Sequence, residues 1–346
     1  MTCTVIILNY NGAHFLPDCL DSLEGNTPEG CSVMVVDNGS TDGSLSLLES
    51  RYPWVRVLAT GKNLGFTGGN NAGVKASDSE IVALLNNDTR VAPDWLSNLL
   101  KPFADPGVGA VTSSMRRFGD LLTMDSAGGC MDALAYSRDR GRGDPALNWS
   151  VSDEILFPCG GAMAVRRAAL EEPDRVFWNE LFIYSEDMDL GISLWRRGWR
   201  VVYQPSAMVE HHFSGTMSKV VPKKERLCNR NRILVLRKHL SKSAMRGVFS
   251  VLFAWQLIWL LSLLVRGRFL IFRAVLDGTA AGLREALPST IPNSIPGDQV
   301  LLRFMEEPSQ GGLRGLFARL CRKNLTRASG SSDEPNRIRN CDTQQR

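Results

Sequence analysis

Short apolar runs, each closed by a polar cluster and followed by residues at helical spacing, recur along the first 212 positions. Thr4-Val5-Ile6-Ile7-Leu8 ends in Asn9-Tyr10-Asn11-Gly12, and Phe15, Leu16, Cys19, Leu20 and Leu23 then share one helical face. Residues 33–36 form a second run, ending in Asp37-Asn38-Gly39-Ser40-Thr41-Asp42-Gly43, with a short helix from Leu45 behind it. A third strand is predicted at 55–58, before a Gly/Asn-rich loop over 61–73 that leads into a helix near Val74. Ile81-Val82-Ala83-Leu84-Leu85 is continuously apolar, which predicts a strand buried on both faces, and it runs straight into Asn86-Asn87-Asp88. An amphipathic helix over 93–103, with Pro93 near its start, and a strand over 108–112 follow. Strands alternating with helices at this spacing predict an α/β fold: a Rossmann-like, mostly parallel sheet flanked by helices.

The pattern then changes. Residues 116–153 have little periodicity and are rich in Gly, Asp and Arg, which predicts a mobile excursion serving as a lid or acceptor loop. Residues 157–165 resume a strand, where Gly160-Gly161 would let a ligand approach the backbone closely. Ser185 is read as the N-cap of a helix whose first turn holds Glu186, Asp187 and Asp189, where the helix dipole favours acids. Met188, Ile192 and Trp195 share its inner face and Gly198 ends it. A strand over 200–203 follows, and then the pair His211-His212.

Ligands of open α/β sheets sit beyond the carboxyl ends of strands. Three such ends carry polar groups here: Asn9, Asp37 and the trio Asn86, Asn87 and Asp88. No G-x-G-x-x-G follows the first strand, which excludes the usual dinucleotide site. The composition of the 346 residues, 44 % hydrophobic and 22 % charged, is that of an ordinary globular protein. Its eight cysteines form no C-x-x-C pair, so no zinc knuckle or dithiol redox motif is readable, and a reducing compartment is expected. The first residues carry no charged leader pattern, so the chain is expected to start in the cytosol.

Net charge is only +4, but Lys and Arg crowd residues 219–273. Inside that region residues 248–265 carry no charge, and as a helix they would span about 27 Å, just short of a ~30 Å hydrocarbon core. Three readings stand: a buried core helix, a single transmembrane helix, or a helix lying in the membrane interface. The last two attach the chain to the cytoplasmic face of an anionic cell membrane, as a peripheral, monotopic or single-pass protein. No RRM, zinc or helix-turn-helix signature accompanies the basic residues, so no nucleic-acid partner is expected. Pro288, Pro292 and Pro296 mark a linker over 286–300, residues 313–320 a short amphipathic piece, and 329–346 a polar, disordered tail.

The order of Val5-Ile6-Ile7-Leu8-Asn9-Tyr10-Asn11, Val35-Val36-Asp37-Asn38-Gly39-Ser40-Thr41-Asp42, residues 63–73, Leu84-Leu85-Asn86-Asn87-Asp88 and Ser185-Glu186-Asp187-Met188-Asp189-Leu190 resembles the family 2 glycosyltransferases, nearest their rhamnosyltransferase-like branch. The resemblance covers about residues 3–240. It implies a GT-A fold over 1–218, with a helical membrane-associating extension over 219–285 and a linker with a short helix over 286–328. It also implies inverting transfer of a rhamnose-like or other hexose from a UDP- or dTDP-sugar to a hydroxyl of a cell-surface glycan or lipid-linked acceptor. By resemblance Asp37 reads the nucleoside base beside Asn9, and Asn63, Gly65, Asn70 and Asn71 line the donor together with Asn86 and Asn87. Gly160 and Gly161 are expected on the acceptor side. Asp88 matches the last acid of a D-x-D motif, which binds Mg²⁺ or Mn²⁺, and His211 matches a later metal-side histidine, with His212 as an alternative. Asp187 matches the catalytic base, with Glu186 beside it. Asn86 replaces the first D-x-D acid, so the cation should depend more on the nucleotide's oxygens. The Q-x-x-R-W signature of processive synthases is absent; Arg196-Arg197-Gly198-Trp199 stands there, and single additions are expected. Two alternatives remain: a nucleotidyltransferase, whose Gly-rich triphosphate loop is missing, and a catalytically silent sugar-nucleotide-binding or assembly protein.

Overall fold

The structure is a computed structural model that describes residues 1–132, 134–212, 221–288, 295–305 and 312–329. The strands and helices of the first half alternate as the apolar runs predict. In order they are β1 (Cys3–Asn9), α1 (Leu16–Leu23), β2 (Cys31–Asp37), α2 (Ser44–Arg51), β3 (Arg56–Ala59), α3 (Gly65–Lys75), β4 (Ile81–Asn86), β5 (Thr89–Val91), α4 (Trp95–Leu100) and β6 (Val108–Arg117). Next come β7 (Asp120–Ser126), β8 (Gly129–Met131), β9 (Ser137–Asp139), β10 (Asp153–Glu154), β11 (Ala162–Arg166), α5 (Glu186–Arg196) and β12 (Arg200–His211).

The main sheet runs β10-β12-β6-β11-β4-β1-β2-β3. β1 is parallel to β2 and β4, β2 to β3, and β12 to β6, while β11 is wedged antiparallel between β4 and β6. Its central strands β1, β4, β6 and β11 are buried on both faces, and alternate residues feed two separate cores. Ile6, Met34, Val36, Val82 and Leu84 face a layer that includes Val74 of α3 and Ile192 of α5. Val5, Ile7, Val33, Val35, Ala83 and Leu85 face Leu16 and Leu20 of α1 and Trp95 and Leu99 of α4.

Two stretches differ from the sequence expectation. The Gly/Asn-rich segment is helix from Gly65 onward, because its glycines let α3 lie directly on the sheet. A Cβ at Gly69 would sit 2.3 Å from Leu8 Cδ1, and one at Gly73 2.6 Å from Ile6 Cγ2. Weak intrinsic helix propensity is here offset by close packing. Residues 116–153 are packed structure rather than a mobile excursion. β7 pairs with β6, β8 pairs with β9, and Met124, Ala127, Met131 and Trp149 are buried in the first core. Periodicity is missing because the strands are short, and each arginine of the 138–142 run finds a carboxylate. Arg140 is buried against Asp153 at 2.6 Å, Arg142 pairs with Asp139 at 3.0 Å, and Arg138 lies 3.6 Å from Asp132.

Five helices complete the described chain: α6 (Val221–His239), α7 (Lys242–Val265), α8 (Phe269–Arg284), α9 (Gly297–Phe304) and α10 (Gly312–Ser329). The expected linker thus ends in a helix, and the short amphipathic piece extends to 18 residues. The expected tail, beyond Ser329, lies outside the described residues, as do 289–294 of the linker. These helices share the first core: Leu234 and Val235 of α6, Val248 and Leu252 of α7, Phe304 of α9 and Leu325 of α10 belong to it. α7 is long and apolar enough to cross a membrane, and only 33 % of its apolar window is buried, so it is not a fully enclosed core helix. Its buried face is Val248, Val251, Leu252, Gln256, Leu260 and Leu263, whereas Phe253, Leu257, Leu261 and Leu264 are exposed.

Candidate active site

The polar strand ends meet as the topology requires. β1, β2 and β4 are in parallel register, so Asn9 lies opposite Asp37 and Leu8 opposite Asn86. Asn9 is fully buried. Its Nδ2 donates to Asp37 Oδ1 at 3.3 Å and Ser40 Oγ at 3.2 Å, and its Oδ1 accepts from Asn87 Nδ2 at 2.7 Å. Asp37 also accepts from the Ser40 N–H at 3.0 Å. Gly12 belongs to this lattice, since a Cβ there would sit 2.1 Å from Asn87 Nδ2. Asn63 and Gly65 border the same edge: Asn63 Oδ1 accepts from the Gly65 N–H at 2.8 Å, and Asn38 bridges to both.

Asn70 and Asn71 are not brought to this edge as free amides. Asn70 Nδ2 donates to Phe66 O within α3 at 2.9 Å. Asn71 brackets the 176–179 segment, accepting from the Val176 and Phe177 N–H groups and donating to Phe177 O and Asn179 Oδ1, all at 2.7–2.9 Å. Both are buried in the first helix after the loop, and their amides are engaged with the protein itself.

β12 delivers the histidine. Its far end pairs antiparallel with β5, so that His211 lies opposite Thr89, the neighbour of Asp88. His211 Nε2 is 3.4 Å from Asp88 Oδ1, and its Nδ1 is 2.6 Å from Asp125 Oδ2 on β7. Burial lowers the imidazole pKa, but the hydrogen bonds and charges of Asp125 and Asp88 outweigh it and leave His211 raised to about 9. His212 turns away. Its ring stacks on Phe118 at 3.3 Å between centroids and its Nε2 is 3.4 Å from Asp18, which separates the two histidines' roles.

This donor set suits a divalent cation. A carboxylate fixing one ring nitrogen, with the other nitrogen beside a second carboxylate, is the outer-shell arrangement of metal-bound histidines. A separation of 3.4 Å between Nε2 and Oδ1 is also what two ligands at about 2.1 Å from one ion span. Among the described residues no group of three or more His, Cys, Asp or Glu side chains forms a metal-holding cluster. Asp88 and His211 would therefore share the ion with ligand oxygens.

The second half of the site comes from the segment before α5. Phe182, Tyr184 and Ser185 all have positive φ, at 63°, 74° and 66°, a conformation that costs non-glycine residues energy and persists only where neighbours enforce it. Asn231 of α6, fully buried, enforces it by donating to Leu181 O, Ile183 O and Tyr184 O at 2.8–2.9 Å. Ser185 is thus left-handed and makes no side-chain cap, contrary to the sequence expectation. Asp187 Oδ1 itself accepts the Met188 N–H at 2.8 Å. Gly198, with φ of 84°, ends the helix region as expected.

The three acids of the first turn separate cleanly. Asp189 is buried and bonded to Lys238 Nζ at 2.8 Å and His239 Nε2 at 2.7 Å. Burial raises its pKa, but these cations and donors prevail and hold it at about 2, so it clamps α5 to α6. Glu186 is buried, and its Oε2 has no hydrogen-bond partner. Burial, and then the charge of Asp187, push its pKa well above the usual carboxylate range. Asp187 is also raised, to about 6, chiefly by burial, while N–H donors of Met188 and Gly160 restrain the shift. It is the acid of the pair that ionises near neutrality.

Both halves open on one cleft of about 680 Å³, lined by Asn86, Asp125, His211, Gly161, Glu186 and Asp187 among others. Gly160-Gly161 stands between the halves. Gly161 O accepts from the Asn86 N–H at 2.8 Å, and a Cβ on Gly160 would lie 3.9 Å from Asp187 Cβ. Asp125 and Asn231 were not legible as site residues. Asp125 sits in the short-stranded region that lacked periodicity, and Asn231 in a helix that reads only as basic.

The profile of Glycosyl transferase family 2 matches residues 4–172. An N-acetylglucosaminyl-diphospho-decaprenol L-rhamnosyltransferase of Mycobacterium tuberculosis is 32 % identical over 241 residues, which cover 60 % of this chain and 75 % of that protein. The O-antigen chain rhamnosyltransferase RfbN of Salmonella typhimurium is 25 % identical over 224 residues, 62 % of this chain and 68 % of its own. Among solved structures, S. aureus TarS matches with a TM-score of 0.54 at 17 % identity, over 96 % of this chain and 93 % of that one. GalNAc-T7 with UDP, GalNAc and Mn²⁺ matches with a TM-score of 0.58 at 15 % identity, over 73 % and 51 %. At such identities the structural likeness concerns the fold, and it is the GT-A fold. The sequence relatives carry the rest: this chain is an enzyme of glycosyl transferase family 2, on its rhamnosyltransferase-like side.

Proposed function

We propose that the enzyme transfers a rhamnose-like or other hexose, with inversion, from a UDP- or dTDP-sugar to a hydroxyl of a lipid-linked acceptor at the cytoplasmic membrane face. The observation that carries this is one cleft with an ionisable, partly desolvated carboxylate on one wall and the Asp88–His211–Asp125 line near the other. Asp37, Asn9 and Asn63 border the donor edge beside it. Oxygen of the acceptor hydroxyl forms a bond to the anomeric carbon as the bond from that carbon to the diphosphate breaks. The electron pair leaves with the nucleoside diphosphate, and the hydroxyl proton passes to Asp187. Glu186, buried beside it and shifted further upward, gives up its proton less readily than Asp187. A bound Mg²⁺ or Mn²⁺ would neutralise charge growing on the leaving diphosphate. Asp88 and His211 would hold that ion's protein side, and Asp125, bonded to Nδ1, would fix the His211 ring for it.

The lipid-linked acceptor is supported by the mycobacterial relative, whose name specifies a diphospho-decaprenol acceptor, and by the exposed apolar face of α7. We place α7 in the membrane interface, with its inner face on the protein and its outer face in lipid. A panel of UDP- and dTDP-sugars, assayed for Mn²⁺-dependent release of nucleoside diphosphate, tests the reading; release from none of them, with nucleotide binding intact, favours a silent binding protein. Asn86 in place of an acid is the one feature that favours that second reading.

A further inference from the structure

The cleft continues beyond Asp187. Past Tyr184 its wall is Lys224 and Arg232 of α6, and then Trp255 and Trp259 of α7. Arg232 is only 5 % exposed. Its Nη2 donates to Gln256 Oε1 at 3.3 Å and to Asn229 Oδ1 at 3.5 Å, and its guanidinium lies 4.0 Å from the Tyr136 ring centroid. Nε and Nη1 have no acceptor among the described residues. Gln256, the one amide in the apolar run of α7, is itself buried and held by Thr279 of α8. A buried cation fixed on one side, with two donors idle on the other, is costly unless an anion completes it. Lys224 is exposed, 5.6 Å over the Tyr184 ring, and adds a second positive charge to the same wall.

The apolar side is equally specific. Trp255 and Trp259 line the cleft on α7, the helix that also exposes Phe253, Leu257, Leu261 and Leu264, and Phe269 and Leu270 of α8 are exposed as well. One cleft thus holds the Asp187 carboxylate, two cations with Glu225 beside them, and two aromatic rings on a helix with an exposed apolar face. That combination matches an amphiphile with a sugar, a phosphate group and a hydrocarbon chain.

We propose that Arg232 and Lys224 bind the diphosphate of an isoprenoid-linked acceptor, whose chain leaves past Trp255 and Trp259 onto the exposed face of α7. This rests on the transferase reading and assigns its acceptor subsite. The donor edge at Asn9, Asp37 and Asn63 contributes no residue to this wall, so donor and acceptor phosphates have separate sites.

The test is binding of farnesyl diphosphate to the full chain in detergent, by isothermal titration in EDTA, with farnesol and inorganic diphosphate as comparators. Farnesyl diphosphate is expected to bind at least tenfold tighter than either fragment. Equal affinity for farnesol, which would mean a lipid-only surface, or for inorganic diphosphate, which would mean a bare anion site, overturns the proposal. Arg232→Gln should weaken farnesyl diphosphate tenfold or more while dTDP affinity is unchanged. Lys224→Gln, an exposed change with little bearing on folding, should weaken it at least threefold, and an unchanged affinity overturns the assignment. Saturating dTDP should not compete; competition would put Arg232 on the donor and also overturn it. Failure of the transferase reading has a different signature: no nucleotide-sugar turnover with farnesyl diphosphate binding intact.

Discussion

Asp187→Asn should abolish transfer and stabilise the protein at once. The folded environment raises the carboxyl from 3.8 to about 6, so at neutral pH the buried charge is held against a penalty. Two pKa units correspond to about 3 kcal/mol. Part of that is shared with Glu186, and the side chain is only partly enclosed, so a gain of about 1–2 kcal/mol is expected for a neutral isostere, by the same conversion. Asn keeps an oxygen for the Met188 N–H, but its NH2 cannot accept from Gly160, which holds the gain below the full conversion. In a chain of this size the gain should appear as a Tm rise of about 2–5 °C. The sign follows from linkage: a folded pKa above the unfolded one adds stability below about 3.8, and that stability is lost as pH rises through about 6. The variant's advantage should thus be full above pH 6 and vanish near pH 4. Loss of a general base should lower kcat by about 10²–10⁴ with donor affinity nearly unchanged. Wild-type kcat should rise tenfold per pH unit below about 6 and level off above it. Scanning calorimetry at two pH values, with nucleoside diphosphate release from the natural acceptor pair, reads both effects. Retention of a tenth of wild-type kcat refutes Asp187 as the base, and a lowered Tm makes it a structural acid.

Three further outcomes are expected. Asp125→Asn should free the His211 ring and weaken Mn²⁺ by about 10–100-fold, measured by titration with dTDP present; an unchanged affinity separates His211 from the ion. Asp189→Asn should cost about 3 kcal/mol in urea melts at pH 7, because buried Lys238 would keep only Glu171, 3.9 Å away, as a counter-charge. In the wild type the stabilisation from Asp189 is present above its unfolded pKa of 3.8 and is lost as pH falls towards about 2, so the gap between the proteins should narrow in acid. Leu257→Ser with Leu261→Ser, at positions 46 % and 61 % exposed, should remove about 1 kcal/mol each of lipid contact. Partition into vesicles rich in anionic lipid should fall about 30-fold, and no change would take the α7 face out of the membrane.

The parallel half of the sheet is readable in the sequence because burial on both faces makes apolar runs continuous, as in Ile81 to Leu85. The clustered polar residues Asn9, Asp37 and Asn87 are readable for the same reason: they stand where those runs stop. α3 was hidden because Gly68, Gly69 and Gly73 speak against a helix locally, and only contact with Leu8 and Ile6 makes them favourable. Asp125 was hidden because its significance lies in a pairing with His211, 86 positions away, which no local pattern carries. Asn231 and Arg232 stand in a helix that reads only as basic; Asn231 is buried against the 181–184 segment and Arg232 against Gln256 of α7, contacts remote in sequence. Asn71, whose motif suggests a donor-side residue, has its amide engaged by the 176–179 segment, a partnership no local pattern shows.

The reversed strand β11 divides its two flanks into unequal territories. Ala162 lies opposite Leu85, at the rim where β4 ends, whereas Arg166 lies opposite Ile81 at the sheet's other edge. Everything immediately upstream of this strand therefore borders the reacting atoms, and everything immediately downstream faces away from them. On the proposed reading, changes just ahead of Ala162 should bear on the alcohol accepted, whereas changes just after Arg166 should bear on stability, because Arg167 is tied to Ser79 O and Ser77 O and Ala169 is buried.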